Sequence, residues 1–183
     1  MSEKPQRADW FRQPEKGGGA LFELHIHDLD FVYLLCGKPR SVSAAGTRGD
    51  FGDWDSVSSL WKWKDKHALI QGDWHHPRSY PFQFGIRIRG SNGSLEYRFR
   101  VQGNVEATET AEEELVAVHE GSVESIDCSE LRDGYVEEIR YLLDCVEHYK
   151  PIGEGNIVQA TAVLSLLEDE KISLETGETI NIK

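Results

Sequence analysis

Glu23 and His27 lie four residues apart, with His25 between them, in the run GGGALFELHIHDLD that spans residues 17–30. Read at helical period, Phe22, Ile26, Leu29 and Tyr33 fall on one stripe, and Glu23, His27, Asp30 and Leu34 on the neighbouring one. Cys36-Gly37 and then Pro39 close the predicted helix. One turn apart, Glu23 and His27 would have Cβ atoms about 5–6 Å from each other. At that distance the carboxylate can orient the ring and raise its basicity, which makes an acid/base pair. A solvated helix face carries the same pair, so spacing alone does not separate the two readings. Three glycines ahead of the helix, Gly17 to Gly19, offer a lead-in without side chains, where a ligand can approach unpaired backbone N–H groups. A flexible linker is the other reading of such a run.

The remaining histidines raise a rival chemistry. His25-x-His27 and the pair His75-His76 suggest a metal site, because on a strand the first two would share one face. On a helix, however, residues two apart point about 200° away from each other and cannot hold one ion. His75-His76-Pro77-Arg78, at the end of a predicted strand, reads either as an exposed loop or as a rim of polar groups around a ligand beside His27.

The elements that would position these groups follow in order. Residues 1–16 are polar, with Pro5, Pro14 and the aromatic pair Trp10-Phe11, and read as an N-terminal arm or a remnant interdomain linker. Residues 17–183 read as a single domain. Ser41 to Ala45 is a short strand and Thr47 to Ser56 a Gly/Asp-rich loop containing Trp54. Val57 to Lys64 alternates, Ser59, Trp61 and Trp63 against Leu60, Lys62 and Lys64, and turns at Asp65-Lys66 into Ala68 to Trp74. In the next hairpin Phe82, Phe84, Ile86 and Ile88 face one way, answered by Leu95, Tyr97, Phe99 and Val101 across an Asn92-Gly93 turn. The opposite face carries Arg87, Arg89, Arg98 and Arg100 with Glu96, and suits either solvent or a polar pairing surface. Glu106 to Glu114 reads as an acidic, solvated loop. Leu115 to Val118 and Val123 to Ile126 are short strands. Tyr135 to Val146 is a helix with Val136, Ile139, Leu143 and Val146 on its apolar stripe, and a further helix runs from the N-cap Asn156 through Leu167. Thr179 to Ile182 is a last strand. Hairpins followed by helices make an α+β domain, a mainly antiparallel sheet with helices packed on one face.

Composition limits the partners. The 183 residues are 39% hydrophobic and carry a net charge of −12, which suits a globular chain and disfavours nucleic acid or an anionic membrane. The longest apolar run, Leu29 to Cys36, is too short to cross a bilayer. The polar start Met1 to Pro5 lacks the apolar core of a signal peptide. Cys36, Cys128 and Cys145 are scattered and odd in number, so a reducing cytoplasm is expected.

The run GGGALFELHIHDLDFVYLLCGKPRSVSA, the hairpin PFQFGIRIRGSNGSLE and the two closing helices with a final strand together resemble the C-terminal domain of the glucose-fructose oxidoreductase, inositol dehydrogenase and MocA family. The order of elements fits from about Trp10 to Lys183. The resemblance implies a glyceraldehyde-3-phosphate dehydrogenase-like C-terminal domain whose open sheet face is available for dimerisation. It implies that His27 transfers the proton, that Glu23 stands where the family usually has an aspartate, and that Asp30 faces the substrate. Gly19, His75 and His76 complete the expected substrate-binding set. His25 stands where the family usually has a small residue. NAD or NADP is the cofactor the family implies, but the sequence contains no Gly-x-Gly-x-x-Gly turn, so no cofactor-binding residue is assigned in this chain, and no metal ligand. Glu3-Lys4-Pro5 echoes the family's catalytic-lysine motif but is almost adjacent to the triple glycine, and is read as coincidence. The expectation is a substrate-binding and dimerisation domain for a sugar or polyol dehydrogenase, inactive unless a nucleotide-binding domain is supplied in trans. The alternative is a non-catalytic binding or pairing module derived from that family.

Overall fold

A computed structural model of the chain describes residues 13–50, 52–73, 76–77, 80–101, 111–128 and 133–183. Its elements run α1 (Pro14–Gly17), a π-helical turn (Leu21–His25), α2 (Ile26–Cys36), β1 (Ser41–Arg48), β2 (Trp54–Lys62), β3 (His67–Asp73), β4 (Phe82–Arg89), β5 (Ser94–Val101), β6 (Glu112–His119), β7 (Ser122–Ile126), α3 (Gly134–Glu147), α4 (Ile157–Thr176) and β8 (Ile180–Asn181). The chain divides into two compact units, one made of residues 1–75 with 152–183 and the other of residues 76–151. Each unit holds a four-stranded antiparallel sheet, ordered β3-β2-β1-β8 in the first and β4-β5-β6-β7 in the second. The α+β class expected from the sequence is therefore what is found, with its antiparallel strands shared between two sheets. Of the expected N-terminal arm, residues 1–12 lie outside the described residues and Pro14–Gly17 forms one helical turn.

In the first unit the alternation of β2 decides which face is buried. Val57, Ser59 and Trp61 point inward, and Lys62 beside them is exposed. They meet Val42 of β1, Ile70 of β3, Leu21 of the π turn, Leu29 of α2, and Val163, Leu166 and Leu167 of α4 in one apolar cluster. Helix α4 begins at Asn156, whose side chain accepts from the Val158 and Gln159 amides. It runs on past the expected end at Leu167 to Thr176, and stops where Gly177 takes φ 74°, a conformation that favours glycine. Ser173 near that end accepts from the Ala44 amide at 2.9 Å and donates to the Glu178 carbonyl at 2.6 Å, joining helix to sheet.

Strand β1 is longer than expected and reaches Arg48, and Trp54, placed in a loop by its Gly/Asp-rich surroundings, begins β2. The extension is held by cross-strand pairing of Arg48 with Trp54 after a bulge, with the guanidinium 4.2 Å from the indole centroid.

In the second unit β4 and β5 pair in the register that the Asn92-Gly93 turn dictates, Phe84 opposite Phe99 and Arg87 opposite Glu96. The Phe84 and Phe99 rings stack with centroids 5.1 Å apart. Glu96 accepts from Arg87 at 3.0 Å and Arg98 at 2.8 Å, and these two hydrogen bonds hold its carboxyl down to about 2. Glu112 to Glu114, expected in an acidic loop, instead open β6. The cause is complementary charge across the ladder: Glu114 is opposite Arg98 and Glu112 opposite Arg100, while Tyr97 donates to Glu113 at 2.7 Å. Residues 106–110 of that stretch lie outside the described residues. The apolar face of this sheet stays open, Phe84 being 46% exposed, and the stripe Val136, Ile139, Leu143 and Val146 of α3 is exposed as well.

Asn156→Ala removes the cap of α4, and should lower the unfolding free energy by about 1 kcal/mol in urea denaturation. Asn156→Ser, which keeps an acceptor at that position, should leave it within a few tenths of that of the parent chain.

Candidate active site

The stretch from Leu21 to Cys36 is helical as expected, but its first turn is π-helical rather than α-helical. The buried line that results runs through Leu21, His25 and Leu29, all fully buried, while Phe22, Ile26 and Tyr33 flank it half-buried. The expected apolar stripe is displaced because a histidine occupies a core position. His25 lies over Gly72 of β3, where a Cβ would come within 3.3 Å of its Cβ and Nδ1. His25 Nε2 donates to Glu170 Oε2 at 3.0 Å, with Ser59 Oγ at 3.3 Å. The other oxygen of the same carboxylate accepts from the Trp61 indole N–H. Nε2 faces the carboxylate, and Nδ1 is buried without a hydrogen-bond partner among the described residues.

His27, two residues on, is exposed, and Glu23 is half-buried. Helical geometry thus sends His25 into the core and His27 to the surface. Among the described residues no hydrogen bond joins Glu23 to His27, since the π turn inserts one residue between their turns and displaces Glu23 from the His27 stripe. Asp30 is half-buried and accepts from Gln159 of α4 at 3.0 Å. Gly18 and Gly19 both take φ near +69°, the first reason this lead-in is built of glycine. The second is space: a Cβ on Gly19 would stand 2.9 Å from Asp53 Oδ2 and from the Trp54 carbonyl oxygen. Gly19 itself is buried. His76 is exposed in the second unit, its ring stacked on Tyr80 at 3.9 Å, and His75 lies outside the described residues. At the far end α2 stops at Gly37, as expected, with φ 69° and its amide donating to the Tyr33 carbonyl at 2.7 Å.

Two features escaped the sequence reading. One is Glu170, buried on α4 and 145 residues from the histidine it holds. A charged residue inside the otherwise apolar face of α4, at helical spacing from Val163, Leu166 and Leu167, was the available signal. The other is Asp28, in the first turn of α2 beside His27. Burial pushes its carboxyl above the ordinary carboxylate range, with His25 and His27 pulling partly the other way. Its neighbour His27 gave the signal, but the helical stripes excluded it.

The direction at Asp28 fixes a stability effect. The folded chain holds this proton to higher pH than the unfolded chain, so ionising Asp28 costs stability as pH rises through the folded value. Asp28→Asn should therefore raise the Tm at pH 7 and leave it unchanged near pH 3, in thermal scans at both values. A lower Tm at pH 7 would mean that attraction to the imidazoles outweighs burial.

The model of the GFO/IDH/MocA C-terminal domain matches residues 1–96. No curated protein matches the chain in sequence. Solved structures share its fold. An inferred NADPH-dependent oxidoreductase from Desulfitobacterium hafniense superposes with a TM-score of 0.77 at 18% identity over 95% of this chain and 51% of its own. The aldose-aldose oxidoreductase from Caulobacter crescentus, solved with glycerol, gives 0.76 at 15% identity over 100% and 52%. The WlbA dehydrogenase from Bordetella pertussis, in complex with NADH and UDP-GlcNAcA, gives 0.68 at 18% identity over 96% and 49%. The chain spans about half the length of these structures. With more than half of its residues matched by the family model and its architecture repeated in these oxidoreductases, the chain belongs to the GFO/IDH/MocA C-terminal domain family.

Proposed function

We propose that the chain is the substrate-side half of an NAD- or NADP-dependent dehydrogenase acting on a sugar or polyol. The observation that carries the reading is the placement of His27, exposed on a helix that directly follows the triple glycine, in a chain of this family. The glycerol and UDP-GlcNAcA in two of the similar structures support a hydroxyl-rich substrate class. In this reading the His27 imidazole takes the proton of the substrate hydroxyl as the neighbouring C–H bond gives up its hydride. Glu23 and Asp28 flank His27 with negative charge, and Asp30 and Gly19 of the same unit form the substrate surround.

When bound, a nicotinamide coenzyme supplies the hydride acceptor. The residues of this sequence do not fit that coenzyme, since no Gly-x-Gly-x-x-Gly run occurs in it. A nucleotide-binding half would complete the reaction. The apolar face of β4-β5-β6-β7, with Phe84, Ile88, Leu95 and Ile126 exposed, is the surface assigned to homodimerisation. One observation favours the alternative of a pairing module without chemistry, namely that Glu23 does not bond His27.

Calorimetric titration with glycerol, inositol and glucose separates the readings. A surviving substrate site should bind one of them at millimolar strength, and His27→Ala should weaken that binding about tenfold, the loss of about one hydrogen bond. Absence of any heat of binding would leave the pairing module. Titration with NAD and NADP should show no tight binding, and micromolar affinity for either would sink the assignment of a half without its coenzyme site.

A further inference from the structure

We propose that Glu170 is the positioning residue of the candidate site, acting through His25 to hold the π turn that fixes the offset of Glu23 and the glycine lead-in from His27. The inference rests on the proposed role of His27 and adds how its surroundings are fixed. A π turn carries one residue more than an α-helix accommodates in the same turn, is rare, and persists where tertiary contacts impose it. Here the contact is identifiable. His25 is the last residue of the π turn, fully buried, and its Nε2 donates to Glu170 Oε2 at 3.0 Å. Glu170 is itself fully buried and its second oxygen is taken by the Trp61 indole N–H, so the carboxylate cannot turn to follow the ring. A Cβ at Gly72 would stand 3.3 Å from His25 Cβ and Nδ1, so glycine lets the ring lie close against β3.

Helix α4 grips the segment at a second point. Gln159 donates to Asp30 at 3.0 Å, eleven residues before Glu170 on the same helix, and a separation of eleven returns nearly to the same face. The two grips lie on either side of His27. Between them they define both the rotation and the axial position of the helix that carries it. If the π turn relaxed to an α-helix, the inserted residue would be absorbed by rotating Glu23 and the glycine lead-in by roughly 100° about the axis relative to His27. His25 and Glu170 would then place the chemistry without touching a substrate.

The test reads His27 directly. Chain labelled at histidine Cε1 gives one carbon–proton NMR signal for each ring, and Glu170→Gln replaces the carboxyl group by an amide of the same shape. The His27 signal should move by more than its linewidth in Glu170→Gln, while those of His119 and His148, in the second unit, stay in place. Leu167→Ala, a cavity variant in the same core that leaves the His25–Glu170 pair intact, should lower the Tm without moving the His27 signal. The proposal is overturned if the His27 signal keeps its place in Glu170→Gln, or if it moves equally in Leu167→Ala. Should Glu170→Gln fail to fold, Trp61→Phe, which frees one oxygen of the carboxylate, is read against the same two criteria. Failure of the dehydrogenase reading shows elsewhere, as an absence of polyol binding by the unaltered chain, and leaves this result standing.

Discussion

A carboxylate with no access to water, held by an imidazole and an indole, is the constraint on which the first unit depends. Glu170 brings a charge into a core of Leu21, Leu29, Val42, Val57, Val163, Leu166 and Leu167. Such a group is tolerated only with its lone pairs occupied, because a buried unpaired charge costs several kcal/mol. Two donors, from a helix on one side and a strand on the other, meet that need at once. The consequence is geometric. An apolar side chain at 170 would let α4 and the π turn slide, whereas directed hydrogen bonds from His25 and Trp61 admit one arrangement. Conformational specificity of this kind is the attested use of buried polar groups, and here it is applied to the segment that bears His27.

The two units manage their sheets differently. In the first, one face of β3-β2-β1-β8 is closed by the π turn, α2 and α4, with capping at Asn156 and stitching at Ser173. In the second, the sheet relies on its own surface: aromatic stacking of Phe84 and Phe99 on one side, and on the other the alternation of arginine with glutamate around Glu96. Cross-strand pairs of that sort stabilise a ladder by fractions of a kcal/mol each and do not close a core. The second unit thus keeps apolar side chains of both sheet and helix at the surface, whereas in the first the π turn and α2 pack against the buried face of the sheet and α4.

Where local pattern and tertiary role agree, the sequence was enough. Alternation found every strand of the two hairpins to within a few residues, Asn92-Gly93 gave the β4–β5 register, and Asn156 marked the start of α4. Strand β1 and the start of β2 were misjudged because glycine and aspartate read as loop, while the pairing of Arg48 with Trp54 lies in the partner strand and not in the local composition. The acidic Glu112 to Glu114 were misjudged for the same reason, their neutralising arginines being on β5. The helix of the candidate site was legible and its π turn was not. Its cause is a bond to a residue 145 positions away, and no window along the chain contains both partners.

Position 25 shows why such a site must be read in pairs. Without Glu170, the imidazole would keep only Ser59 Oγ as a partner, with Nδ1 unpaired at a cost of about 1–3 kcal/mol. Placed alone, the carboxylate of Glu170 would cost more, being charged. Together with Trp61 they leave one unpaired atom, His25 Nδ1 over Gly72. Each residue is therefore more costly by itself than in company. The segment bearing His27 then takes its shape from the far end of the chain, through α4. A substitution at Glu170 should be felt at the surface of α2 before one at many residues nearer to it, because the path from Glu170 to His25 is a directed hydrogen bond in a medium that cannot replace it.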